Sequence, residues 1–226
     1  MATYSLESLQ DKLDKNLSWR KKELTIIKSN IQSSSKEILL TALRSGVTLL
    51  YSHWEGYIKS ASREYLKYLN AQNLQCCKVI DNLFILHLKK TVKDAKKSNK
   101  SLVHAQIYNK ILYDNENIFK VDVMDKDIVD TESNLSYEVL RDILFSLGFD
   151  ERSYELKQHF IENNLLEKRN KIAHGEFVNF LSNQLNAEDK AKEEFNQLYH
   201  EILGLIEIFK EQILDAALYE KYRKSG

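Results

Sequence analysis

Proline is absent from all 226 residues, glycine occurs only six times, and the two cysteines, Cys76 and Cys77, are neighbours. Without proline no helical N–H bond is lost and no preceding residue is pushed off the α conformation, so long helices can run without interruption. Adjacent cysteines suit neither a disulfide framework nor a zinc site with spaced ligands, which leaves two buried or half-buried thiols. Neither sign of charge is in excess. Lysine and arginine number 33 against 33 aspartate and glutamate, so no global field attracts nucleic acid or membrane, and any anion-binding surface must be local. No stretch approaches the roughly 18 apolar residues of a membrane span. The opening MATYSLESLQDKLDK has neither the basic start nor the apolar core of a signal peptide, so a cytoplasmic protein without membrane contact is expected.

What is present is 43% apolar and 29% charged residues, the composition of a globular chain with enough core to bury. Apolar residues at Leu40, Leu43, Val47, Leu50, Trp54, Tyr57, Ala61, Tyr65 and Tyr68 step by three and four, which predicts one long helix over about 36–70. A second, over about 187–221, carries Phe195, Leu198, Ile202, Leu205, Phe209, Ile213 and Ala216. A third, over about 5–32, carries Leu6, Leu9, Leu13, Leu17, Leu24 and Ile27 and stops at the serine run 33–35. Shorter helices are expected over 78–97, 102–114 and 135–147, the last ended by Gly148, and over 154–173. Phe119, Val121 and Val123 alternate with Lys120 and Asp122, which reads as a short strand. The fold class is therefore all-α, a bundle of long helices in one domain, 1–226, with a smaller and more irregular excursion at about 71–134.

Chemistry concentrates in LLEKRNKIAHGEF, residues 165–177. On a helix Asn170 and His174 share a face, His174 occupies the last turn, and Gly175 is the residue past the end. Cations are favoured there by the helix dipole, so His174 is a candidate acid or anion-binding group. Arg169 stands about 140° around the helix from His174, but its planar fork suits two phosphate oxygens. Such a pair fits attack of a ribose 2′-hydroxyl on its own phosphodiester, where the nucleophile is already tethered and needs only proton transfer and charge stabilisation, with no metal or other cofactor. A cation and a glycine also end many ordinary helices. A second Arg–His pair, Arg152 and His159, lies nearby, and spacing does not choose between the two.

The stretch LLEKRNKIAHGE resembles the Arg-Asn-x-x-x-His signature of the HEPN superfamily. LLYSHWEGYIKSASREYLKYL, residues 49–69, and SNLSYEVLRDILFSLGFD, residues 133–150, are similar to the Trp-Glu-Gly helix and the Asn-Leu helix of the bacterial branch grouped with RiboL-PSP proteins. Together these stretches extend the resemblance over about residues 20–220. It implies a HEPN-like helical bundle, catalysis by Arg169 and His174 with Asn170 beside them, and a metal-independent endoribonuclease of the toxin or antiphage kind. It also implies an RNA substrate, a homodimer whose motif helices line one cleft, and an antitoxin or other defence-system partner. The alternative is a catalytically silent HEPN module that binds nucleotide, RNA or a partner protein. Glu176 stands where some HEPN toxins carry a tyrosine that is nucleotidylated, so control by that route is not expected.

Three further features enter as candidates. Glu55 lies off the apolar stripe, where it can orient a catalytic group or simply be solvated. Gly56, inside a helix at a cost of about 1 kcal/mol relative to alanine, marks a close approach. Residues 89–100, KKTVKDAKKSNK, hold six lysines against one aspartate, and Lys89, Lys93, Lys96 and Lys97 are candidates to track an RNA backbone. The acidic run behind them lacks the glycine and final glutamate of a calcium loop.

Overall fold

The computed structural model describes residues 4–97, 99–181 and 186–224. Three long helices dominate: α1 (Leu6–Ser33), α2 (Lys36–Ala71) and α8 (Ala187–Leu218), each packed against the other two. Every apolar residue assigned to the α8 stripe is buried, as are Leu9, Leu13, Leu17 and Leu24 of α1. The interfaces follow from the three-and-four spacing, which places one apolar face on each helix. Ser5 caps α1 by accepting the Ser8 N–H at 3.1 Å. At its other end Lys192 of α8 donates to the carbonyls of Gln32 and Ser34, satisfying groups that a helix end leaves open. Gly46 lies where the three helices crowd together: a Cβ there would come within 2.6 Å of Ile31 and 2.8 Å of Phe195. A Cβ on Gly56 would come within 3.0 Å of the Arg20 guanidinium. The close approach is thus to a buried arginine, which also bonds Asn16 and His53.

The smaller helices are α3 (Asp81–Lys96), α4 (Ser101–Tyr113), α5 (Tyr137–Leu147), the short α6 (Arg152–Glu155) and α7 (Glu167–Ala173). Gly148 ends α5 in the left-handed conformation, φ +74°, with the Phe149 N–H returning to the Leu144 carbonyl. Two expectations need correction. No strand forms among the described residues: Phe119 and Val121 are buried as the alternation requires, but no neighbouring strand pairs with them. An isolated antiparallel bridge joins Gln75 and Ile118, and the Asn70 side-chain amide then satisfies both the Val121 carbonyl and its N–H.

The second correction concerns 154–173, which is not one α-helix. After α6 the chain turns, winds as a π-helix over Phe160–Leu166, and only then enters α7. Ile161, Leu165 and Leu166 are all buried. An α-helix would turn Leu166 about 140° away from Ile161, whereas the wider i→i+5 turn brings the two onto one face. Buried residues from Leu9 to Tyr222 form one contiguous cluster, to which this segment belongs.

Candidate active site

α7 packs on α2 and presents the motif at its C-terminal end. The Glu176 N–H bonds the Lys171 carbonyl at 2.9 Å and the Gly175 N–H bonds the Ile172 carbonyl at 3.1 Å. With Gly175 at φ +78°, this double bond pattern is a Schellman stop, which fixes His174 as the last, capping residue. His174 is exposed. From α2, Arg44 donates to the Glu176 carbonyl at 2.9 Å and so ties down the segment that follows it.

Arg169 is held differently. Its guanidinium stacks on the buried Tyr51 ring with 4.2 Å from Cζ to the ring centre, donates to the Asn170 side-chain oxygen at 2.7 Å and reaches the Ser133 carbonyl at 3.4 Å. The Asn170 amide donates in turn to Asn134 at 3.0 Å. No carboxylate pairs with Arg169 among the described residues, whereas Arg141, Arg152 and Arg223 are each held by one, Arg152 by Asp150. A stacked guanidinium with spare donors is an anion site of fixed direction.

The turn that carries Ser133 and Asn134 is shaped for this contact. Glu132 and Ser133 both adopt left-handed backbone, φ +53° and +55°, a conformation that costs non-glycine residues on the order of 1–3 kcal/mol each. The Asp130 carboxylate accepts the Glu132 N–H at 2.8 Å, the Asn134 N–H closes onto the Thr131 carbonyl at 2.9 Å, and the buried Thr131 hydroxyl donates to Glu55 at 2.6 Å. Tyr51 completes the frame: its hydroxyl accepts the N–H of the fully buried Leu135 at 2.6 Å. Burial pushes the Tyr51 phenol up to about 12, against the pull of the Leu135 N–H and Arg169 and with Glu55 adding to the rise. The hydroxyl therefore stays protonated.

The structure thus joins Arg169 and Asn170 directly, and links Glu55 to them through Thr131 and Tyr51. It does not join Arg169 to His174 within one chain. The lysines lie elsewhere. Lys89, Lys93 and Lys96 line a cavity of about 530 Å³ between α3 and α5 that they share with Asp127, Asp130, Glu132, Glu138 and Asp142. Lys93 is ion-paired with Asp127, and Lys97 lies 3.9 Å from Asp94. Among the described residues no cluster of three histidine, cysteine, aspartate or glutamate side chains has the arrangement to hold a metal ion.

Tyr51, Ser133, Asn134 and Arg44 are the site residues that sequence reading missed. Tyr51 has an ordinary core position as far as the sequence shows, and the only signal was its place four residues before Glu55. Asn134 stood inside the SNLSYE stretch without an assigned role.

A helical bundle bearing Arg-Asn-x-x-x-His at the exposed end of a short helix, with the arginine stacked and hydrogen-bonded in place, is the kind of protein that fold and site define together. The sequence profile of the RiboL-PSP-HEPN family matches residues 15–215, and the chain belongs to that family. Neither a curated protein nor a solved structure matches it. The family match supports a nuclease- or RNA-related module in general terms.

Proposed function

We propose that the protein is an endoribonuclease that cleaves RNA by attack of the ribose 2′-hydroxyl on the adjacent phosphorus, and that it serves as a toxin or antiphage effector. The observation that carries the reading is Arg169: a guanidinium stacked, hydrogen-bonded and, among the described residues, without a carboxylate. Charge develops on the non-bridging phosphate oxygens as phosphorus becomes five-coordinate, and a preset cation stabilises that state more than the ground state. His174 moves the proton: the 2′-hydroxyl loses one, the departing 5′-oxygen gains one, and the products are a 2′,3′-cyclic phosphate and a 5′-hydroxyl. Neither step calls on a metal. Asn170 holds the guanidinium in register, and Glu55 with Thr131 holds the turn that supplies the Ser133 carbonyl.

Because Arg169 and His174 do not meet in one chain, the working site belongs to a homodimer, in which a two-fold axis near the end of α7 brings both pairs around one phosphate. The same separation is what favours the second reading, a silent module that binds RNA, nucleotide or a partner without cleaving. Purified protein is incubated with mixed cellular RNA in excess chelator. Cyclic-phosphate ends should accumulate, DNA should survive, and the Arg169→Ala, His174→Ala double variant should be inert. RNA bound by the wild type but left intact would select the silent module, and activity that magnesium must restore would remove the mechanism.

A further inference from the structure

We infer that Arg44 is a second phosphate-binding residue, which takes the phosphate next to the scissile one in an RNA strand; this rests on the reading of the site as an RNA-cleaving one. Arg44 and Tyr51 stand seven residues apart on α2, so they share one face of the helix, about 10 Å apart along its axis. Both then face α7. That helix lies along the same face and runs the opposite way. Arg169 stacks on Tyr51, Ile172 borders a groove with Thr41, Arg44, Ser45, Thr48 and Leu49, and the Glu176 carbonyl meets Arg44. His174 therefore stands, along the chain, between the residue held at Tyr51 and the residue held at Arg44.

The groove, about 340 Å³ in volume, is polar on its α2 wall. Arg44 gives an N–H to the Glu176 carbonyl at 2.9 Å, and like Arg169 it pairs with no carboxylate among the described residues, Glu176 offering its backbone and not its side chain. Its other donors are spare. Thr48 turns its hydroxyl back to the Arg44 carbonyl at 3.0 Å, whereas the exposed Thr41 and Ser45 hydroxyls line the groove without a bonded partner among the described residues. A fixed guanidinium beside two free hydroxyls is a donor set for phosphate oxygens. Leu49 and Ile172 supply the apolar wall on which a sugar rests. A lone carboxylate would satisfy Arg44 by itself, but only a chain of phosphates engages Arg44 and Arg169 together. In a protein of zero net charge a strand is held by such individual cations and not by a general field.

The test uses the full chain and a dinucleoside monophosphate, whose only phosphate is the scissile one, beside the same molecule with a further phosphate on its 5′ or its 3′ end. The wild type should cleave one of the two phosphorylated forms with a kcat/KM at least about tenfold above that for the monophosphate. In Arg44→Gln that preference should shrink to about twofold or less. The tie to Glu176 bears on every substrate alike, so the ratio isolates the phosphate. A Thr41→Val, Ser45→Ala variant leaves the tie in place and should lower the preference by about two- to fivefold. Binding of an RNA of about ten 2′-O-methyl nucleotides needs no cleavage, and the slope of log Kd against log salt should be shallower by about 0.7 in Arg44→Gln. Equal loss on all three substrates with an unchanged slope would make Arg44 only a positioning residue for His174, overturning the inference while the cleavage reading stands. A slope made shallower by Arg44→Gln in a protein that cleaves nothing would keep the phosphate contact and remove the cleavage reading. A wild type that binds no RNA overturns both.

Discussion

Replacing Tyr51 separates its two duties, because the ring supports Arg169 while the hydroxyl serves Leu135. Tyr51→Phe keeps the stacked face 4.2 Å beneath the guanidinium but removes the acceptor of a backbone N–H whose residue is 0% exposed. A buried donor left without a partner costs about 1–3 kcal/mol. For a chain of this size each kcal/mol lowers Tm by about 2–4 °C, so the variant should melt a few degrees to about 10 °C below the wild type. Its kcat/KM on RNA should stay within about threefold, since the ring still orients Arg169. Tyr51→Leu removes the ring as well. Loss of a cation–π contact worth about 0.5–2 kcal/mol should cost a further 2- to 30-fold or so in kcat/KM. Differential scanning fluorimetry and initial rates on a fluorogenic RNA read the two effects apart. A Phe variant that melts with the wild type would refute the role of the hydroxyl, and a Leu variant as active as Phe would refute the role of the ring.

Two glycines should respond with opposite sign in chemical denaturation. Gly46→Ala forces a Cβ to within 2.6 Å of Ile31 and should destabilise by about 1–3 kcal/mol; Gly204→Ala, with nothing within 4 Å, should stabilise by about 0.5–1 kcal/mol. The buried His53, held below its ordinary value first by burial and then by Arg20, with Glu23 opposing at 2.8 Å, resists protonation more than the unfolded chain does. Its contribution to stability is therefore complete above an unfolded value of about 6.5 and fades as pH falls below it. Tm should drop more steeply below about pH 6.5 in the wild type than in His53→Gln, and parallel curves would count against this. For the shared site, mixing Arg169→Ala chains with His174→Ala chains should recover cleavage that neither shows alone. An active protein that scatters light as a monomer at micromolar concentration would exclude the two-fold arrangement.

The α8 stripe from Phe195 to Ala216 was legible in the sequence, as were the boundaries of α1 and α2 to within a residue or two, because burial of one face per helix leaves a periodic trace that local sequence carries. Gly148 and Gly175 were legible as stops for the same reason: each needs a left-handed backbone that glycine adopts freely. The Arg169, Asn170 and His174 cluster could be marked as chemistry by residue type and family likeness. Its surroundings could not. Tyr51 is 118 positions from Arg169, and whether its ring serves the core or the guanidinium depends on how α7 lies on α2, which no local pattern encodes. The π-turn at Phe160–Leu166 arises because Ile161 and Leu166 face the same core, a demand set by the neighbouring helices. Likewise Phe119 and Val121 alternate as a strand would, yet no strand forms beside them, since Phe119 meets only the Leu74 carbonyl at an isolated bridge and Val121 is taken by the side chain of Asn70, the residue next to last in α2. Periodicity reports which side of an element is buried; what lies against that side is decided only when the chain is packed.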